Sequence, residues 1–264
     1  MSKKLELPEC YEVLRPRVEK TLTPIVRVKA EEGATGIFDS KFGGNPYFPI
    51  DSEYPRDADG FPMKLLAQLN FEQIPHLDGY PTSGILQFYL STKDGCFGFD
   101  YGGKVEHKNY RILFFDGELK GEDQLLRDFD FVKLTDEDEF PLYTGSEAKL
   151  TFTPDEEYMN LLDFRVEKET GMKSDWIPEL EDFYTQSSEM AMKHKIGGYP
   201  GFTQCDPRGE YEELASYTKL LLQIDSDDAI GCEWGDAGVG NFFITEEDLA
   251  KRDFSKVYYN YDCC

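Results

Sequence analysis

The sequence has 264 residues, of which 40% are hydrophobic and 14% aromatic. This apolar content is enough for a packed core and argues against a disordered chain. Its 28 basic and 52 acidic residues give a net charge of −24, which disfavours binding to nucleic acid or anionic membranes because both require cationic side chains. Such a charge would attract a basic protein partner, although an acidic cytoplasmic protein without such a partner is the simpler interpretation.

The sequence gives no sign of a membrane segment or a secretory signal. No stretch of about 18 residues is continuously apolar, and the lysines near the N-terminus are not followed by an apolar segment. We therefore expect a cytoplasmic protein whose six cysteines are reduced thiols. None of them has the spacing of a zinc site, so we expect no metal and no cofactor. The adjacent Cys263 and Cys264 would form an exposed, oxidisable tail.

In chain order, the first predicted element is a helix over residues 6–20, which Pro16 must kink or end. Thr153 and Pro154, with a following glutamate, have the pattern of a helix start, which predicts a later helix over residues 154–168. The remaining elements follow from apolar, β-branched and aromatic segments. They are strands at 25–28, 64–69, 85–90, 110–115 and 149–153, a helix within 178–193, strands at 219–224 and 241–244, a short helix from Thr245, and a strand over 254–261.

Three blocks of sequence recur at a nearly constant spacing. Residues 41–49 read KFGGNPYFP and residues 195–203 read KIGGYPGFT, with their Gly-Gly pairs 154 positions apart. The apolar segments KLLAQL and KLLLQI recur 155 positions apart, and two aromatic strands recur at 154 again. This pattern predicts an internal duplication with repeat units at about 41–90 and 195–244.

No linker rich in glycine, serine or proline separates the two repeats. We therefore predict one compact domain over residues 1–264, of the α+β class, with mostly antiparallel sheets, a few helices and pseudo-twofold internal symmetry. Each Gly-Gly-x-Pro block should be a tight loop that leads into an extended segment. Neither block has the pattern of a phosphate-binding loop, so a duplicated turn is the better interpretation.

An acidic run follows the second repeated glutamine. It spans 225–228, with Glu233 and Asp236 soon after, but it does not match a calcium-binding loop. We interpret it as a solvated acidic turn. The three histidines lie in no nucleophile signature, and His194, between two lysines, is predicted to be an exposed loop residue.

Four amide side chains lie within the apolar strands: Gln68, Gln87, Gln223 and Asn241. Because a buried amide must be hydrogen-bonded, the favoured interpretation is that these side chains join the two units. The functional alternative is a cleft between the units, beside Trp234 and Asp236, that binds a polar ligand.

The repeated blocks, together with GILQFYLS, LLLQIDSDD and WGDAGVGNFFI, resemble the YwqG-like family of bacterial proteins of unknown function. The resemblance covers essentially the whole chain. It implies an α+β fold with duplicated halves, and it implies no activity, cofactor or catalytic residue.

Two hypotheses for function remain open. The first is a non-catalytic protein-interaction module, such as an inhibitor or immunity-like factor, that uses its acidic surface to bind a basic protein. The second is a small-molecule-binding protein or an unrecognised enzyme with a site between the repeat units. That site would be lined by Gln68, Gln223, Trp234 and Asp236.

Overall fold

A computed structural model describes residues 5–100, 102–135, 137–173 and 177–264. Ten strands form one sheet in which all neighbouring strands are antiparallel. The prediction of a mostly antiparallel fold with few helices is confirmed. The strands are β1 (Thr23–Glu32), β2 (Lys41–Gly43), β3 (Lys64–Asn70), β4 (Ile85–Leu90), β5 (Tyr110–Phe115), β6 (Glu147–Glu157), β7 (Lys195–Ile196), β8 (Lys219–Asp225), β9 (Val239–Ile244) and β10 (Tyr258–Asp262).

The strand order places β1 and β6 at the centre of the sheet. The order is β10-β9-β8-β7-β1-β6-β2-β3-β4-β5. We call β2–β5 the first flank and β7–β10 the second flank. Strand β1 precedes the first flank in the chain but pairs with β7 of the second, whereas β6 precedes the second flank but pairs with β2 of the first. Each central strand therefore adjoins the flank that it does not precede in sequence.

Four α-helices lie in the described part of the chain: α1 (Arg15–Val18), α2 (Val166–Thr170), α3 (Glu181–Ala191) and α4 (Glu246–Lys251). The helix predicted over 6–20 is instead three short pieces, with α1 between two 3₁₀ turns and Pro16 in its first turn. The predicted start of α4 is confirmed, because the Thr245 hydroxyl accepts the N–H of Asp248 at 3.0 Å. No helix among the described residues is long and apolar enough to cross a membrane.

The helix predicted over 154–168 is wrong, because β6 continues through Pro154 to Glu157. Pro154 lies opposite Val26 in a ladder of ten residue pairs between β6 and β1. On its other side β6 pairs with β2 only over residues 147–149, so the missing N–H of Pro154 falls on an unpaired edge. Pairing with β1 thus overrides the local resemblance to a helix start.

The sheet curls until its two flanks face one another and is nearly closed. On the inner face, the ring centroids of Phe88 and Phe242 are 4.7 Å apart, although the two residues lie on different flanks. Near the free edges, Phe114 of β5 packs against Phe254 at 4.8 Å, and the Tyr110 hydroxyl donates to the carbonyl of Val257 at 2.9 Å. A single apolar core therefore fills the space between the flanks.

The two Gly-Gly pairs form tight turns, as predicted. Gly43 and Gly44 have φ of +66° and +65°, and Gly197 and Gly198 have φ of +78° and +75°. Glycine adopts this left-handed region without the steric cost that a side chain would bring. Each turn carries the chain from its short strand onto the outer face of its own flank, where the following residues contact a buried glutamine.

Candidate functional site

The first predicted site residue, Gln68, is buried on the outer face of β3. Its Oε1 accepts the N–H of Tyr47 at 2.8 Å and the Nε2 of Gln87 at 2.7 Å. Its Nε2 donates to the carbonyls of Ile37 and Asp39, both at 2.9 Å. These four bonds use the whole hydrogen-bonding capacity of the amide, so none is left over for a ligand.

Gln223 has the matching role on the second flank. Its Oε1 accepts the N–H of Gly201 at 2.7 Å, and its Nε2 donates to the carbonyls of Ala191 and Lys193 at 2.9 and 2.8 Å. Asn241 in the next strand donates to the carbonyl of Gly201 at 2.9 Å, just as Gln87 donates to the carbonyl of Tyr47 at 2.6 Å. Both glutamines therefore hold a loop to the outer face of their own flank, and the prediction that these amides join the two units is wrong.

The four predicted site residues do not converge on one cavity. Four strands separate the strand of Gln68 from that of Gln223. Trp234 is completely buried and packs against Phe97 and Tyr261, whereas Asp236 is exposed on the turn that follows it.

A groove of about 910 Å³ lies where β1 meets the second flank. Its walls include Arg27 and Lys29 of β1, Glu189 of α3, Lys193, His194, Asp225 and Asp227. We call this cavity the seam groove. Its size is sufficient for a small molecule or for one or two side chains of a partner.

His194 forms part of the wall of the seam groove and is only 5% exposed, so its prediction as an exposed loop residue is wrong. The N–H of Asp225 donates to its Nδ1 at 3.0 Å, so the ring proton is on Nε2, 3.3 Å from Oδ2 of Asp227. Burial lowers the pKa of His194, and the hydrogen bond and charge of Asp227 only partly oppose this effect. The ring is therefore neutral at physiological pH, and it fixes the orientation of Asp227 without neutralising its charge.

The backbone also holds both carboxylates of this wall in place. Asp225 accepts the N–H of Lys193 at 2.9 Å, and Asp227 accepts the N–H of Ala229 at 2.9 Å. Burial raises the pKa of Asp225, against the lowering effect of the backbone N–H groups of Lys193 and Ser226. The prediction of a solvated acidic turn holds for Asp228, which is exposed, whereas Asp225 and Asp227 are half-buried.

The charges of the seam groove are unequally compensated. Arg27 is paired with Asp155 at 3.2 Å and Glu157 at 3.1 Å, and Lys29 is paired with Glu31 at 2.6 Å. Within the described residues, Glu189, Asp225 and Asp227 have no lysine or arginine within 4 Å. Lys193 on the same wall has no carboxylate within 4 Å in the described residues, so three unpaired carboxylates face one unpaired ammonium group and the groove presents an excess of negative charge.

No group of three histidine, cysteine, aspartate or glutamate side chains in the described ranges could hold a metal ion. Sequence reasoning missed the seam groove because the burial of His194 depends on contacts with residues far along the chain. The available signal was the position of His194 directly before the second repeated block.

The sheet and its groove define a class of antiparallel-sheet protein with an acidic cleft. Residues 40–263 match the model of a family described as a domain of unknown function, DUF1963, and the chain belongs to that family. A comparison with curated proteins found no match. The family brings no activity with it, so the function must be argued from the geometry.

Proposed function

We propose that this chain is a non-catalytic binding protein that takes a lysine or arginine side chain of a basic protein partner into the seam groove. The observation that carries the proposal is the set of carboxylates on Glu189, Asp225 and Asp227, which line the seam groove with no lysine or arginine within 4 Å among the described residues. An inhibitor or immunity-like factor would act in this way.

The physical reason is electrostatic. A net charge of −24 attracts a basic partner at long range, and salt should weaken this attraction. Long-range attraction alone does not select a binding mode. The carboxylates of Asp225 and Asp227 are already oriented by backbone N–H groups, so a cationic side chain would find its acceptors preorganised.

The test uses a fluorescein-labelled octalysine peptide and fluorescence anisotropy at low and at physiological salt. Asp225→Asn and Asp227→Asn should each weaken binding about tenfold, which corresponds to about 1.4 kcal/mol. Asp228→Asn is the matched control, because it makes the same charge change on an exposed neighbour and should alter the affinity less than about twofold. Equal effects of all three substitutions would mean that net charge alone binds the peptide, and would refute a site in the groove.

A small-molecule site between the repeat units, lined by Gln68, Gln223, Trp234 and Asp236, is the alternative proposal. It has less support, because the two glutamines use their amides on the backbone of the protein itself. A metabolite screen by thermal shift would support it if a compound raised the melting temperature of the wild type but not of Asp236→Asn.

We also propose that the two flanks descend from one duplicated unit within a single domain. Support comes from their matching amide bonds and from matching irregularities in strand pairing, between Leu65 and Ala67 in β3 and between Leu220 and Leu222 in β8. A place among bacterial YwqG-like proteins and a cytoplasmic location are proposals that rest on the sequence.

A further inference from the structure

Each Gly-Gly turn is preceded by a buried lysine. Lys41 is 1% exposed and Lys195 is completely buried. Each ammonium group donates to the carbonyl four residues further along, Asn45 for Lys41, at 2.9 Å, and Tyr199 for Lys195. Because an uncompensated buried charge is strongly unfavourable, we expect a negatively charged group close to each lysine.

On the second flank the counter-charge comes from the protein itself. Nζ of Lys195 lies 2.9 and 3.1 Å from the two carboxylate oxygens of Glu157. The same carboxylate accepts the N–H of Tyr199 at 2.7 Å and Nη2 of Arg27 at 3.1 Å. A lysine, a backbone amide and an arginine thus form a carboxylate cage, and Glu157 occupies it.

On the first flank the corresponding lysine lacks such a partner. Nζ of Lys41 donates to the carbonyls of Gly36 at 2.6 Å and of Asn45, which leaves the third N–H of the ammonium group without an acceptor among the described residues. The side chain of Glu147 packs against Gly44, as that of Glu157 packs against Gly198. The Glu147 carboxylate, however, accepts the N–H and the hydroxyl of Thr35 and not the ammonium group of the lysine. Burial lowers the pKa of Lys41 to about 8, although Glu147 and Asp39 oppose this shift.

The space beside Lys41 is a cavity of about 310 Å³. Two further residues with donors line it, Asn45 and Arg127. The Asn45 N–H has no acceptor in the described part of the chain and corresponds in sequence to the Tyr199 N–H. The Arg127 guanidinium is half-exposed and 2.7 Å from Glu122. Leu126 and Phe129 supply an apolar wall. The cavity therefore combines the three kinds of donor found in the carboxylate cage with a surface suited to an apolar body.

We propose that the cavity beside Lys41 binds the carboxylate of a small apolar or aromatic acid, held by Lys41, the Asn45 amide and Arg127. A monoanion fits better than a phosphate dianion, because Glu147 on the same wall repels each additional negative charge. The inference is independent of the seam groove, which is on the other side of the central strands.

The test is a titration of the full chain with benzoate, followed by calorimetry and by the backbone amide signal of Asn45 in NMR spectra. Benzamide, which has the same shape and no charge, is the control ligand. Benzoate should bind and shift the Asn45 signal, and benzamide should do neither. Arg127→Gln, at a half-exposed position that should not affect folding, is expected to weaken benzoate about tenfold, and Lys41→Met should abolish binding.

Glu147→Gln should tighten benzoate binding several-fold, because it removes the repulsion while leaving an acceptor for Thr35. Glu122→Gln, which releases Arg127 from its ion pair, should also tighten it modestly. Three results would overturn the proposal: no binding of benzoate to the wild type, equal binding of benzoate and benzamide, or wild-type affinity in Arg127→Gln.

Discussion

The two flanks of the sheet share a Gly-Gly turn, a buried glutamine and a buried lysine, and they differ in what neutralises the lysine. On the second flank, Glu157 closes the carboxylate cage from within the protein. On the first flank, the carboxylate of Glu147 is hydrogen-bonded to Thr35, and a cavity lies beside Lys41 in place of a carboxylate. The shared parts hold loops to the sheet, whereas the parts that differ are where a bound ligand can add stabilising free energy.

Replacing each buried lysine by methionine should affect the two flanks very differently. Lys195→Met leaves Glu157 buried without its main partner and should lower the free energy of unfolding by about 3–5 kcal/mol. Lys41→Met removes a charge that has no carboxylate within 4 Å in the described residues, and should cost about 1 kcal/mol or less. Urea denaturation measures both changes in the free energy of unfolding, and the m-values should be the same as in the wild type. Equal losses would show that Glu147 neutralises Lys41 in solution.

The two buried glutamines offer a test of what the flanks share. Gln68→Leu and Gln223→Leu each leave several buried backbone groups without a partner and should each lower the free energy of unfolding by about 2–3 kcal/mol. Gln186→Leu, at an exposed position of α3, is the control and should change stability by less than about 0.5 kcal/mol. Unchanged stability in either buried variant would refute a structural role for that amide.

The smallest expected effect concerns pH and Lys41 alone. Its pKa in the folded protein is about 8, below the value of about 10.4 expected in the unfolded chain. Between these values the unfolded chain binds a proton that the folded protein has lost, so the contribution of Lys41 to stability rises with pH. From pH 7 to pH 9 the gain should be about 1 kcal/mol relative to Lys41→Met. A pH-independent difference between the two proteins would contradict the lowered pKa.

Local sequence was sufficient to predict most of the strands and turns. The β-branched and aromatic segments, the paired glycines and the cap at Thr245 act through nearest neighbours, and the structure agrees with them. The helix predicted from Thr153 and Pro154 was wrong because the pairing of β6 with β1 decides the conformation of this segment. The two strands are far apart in the chain, since Arg27 and Asp155 are separated by 128 residues.

The two buried lysines were harder to predict. Lys41 and Lys195 are the first residues of the two repeated blocks, yet their burial depends on the loop that closes over each of them. Lysine is rarely buried in proteins, so the residue type alone argues against burial at these two positions. The partners that matter, Glu157 for one lysine and the cavity wall for the other, belong to distant segments that no periodicity identifies.

The exchange of the central strands has a consequence for how the chain can be divided. A cut between β5 and β6 would give an N-terminal fragment with β1 but no β6 to join it to β2, and a C-terminal fragment with β6 but no β1 to join it to β7. Neither fragment has a continuous sheet, and each supplies the strand that the other lacks. The two pieces should therefore reassemble only together, which makes this fold a natural candidate for a split-protein reporter.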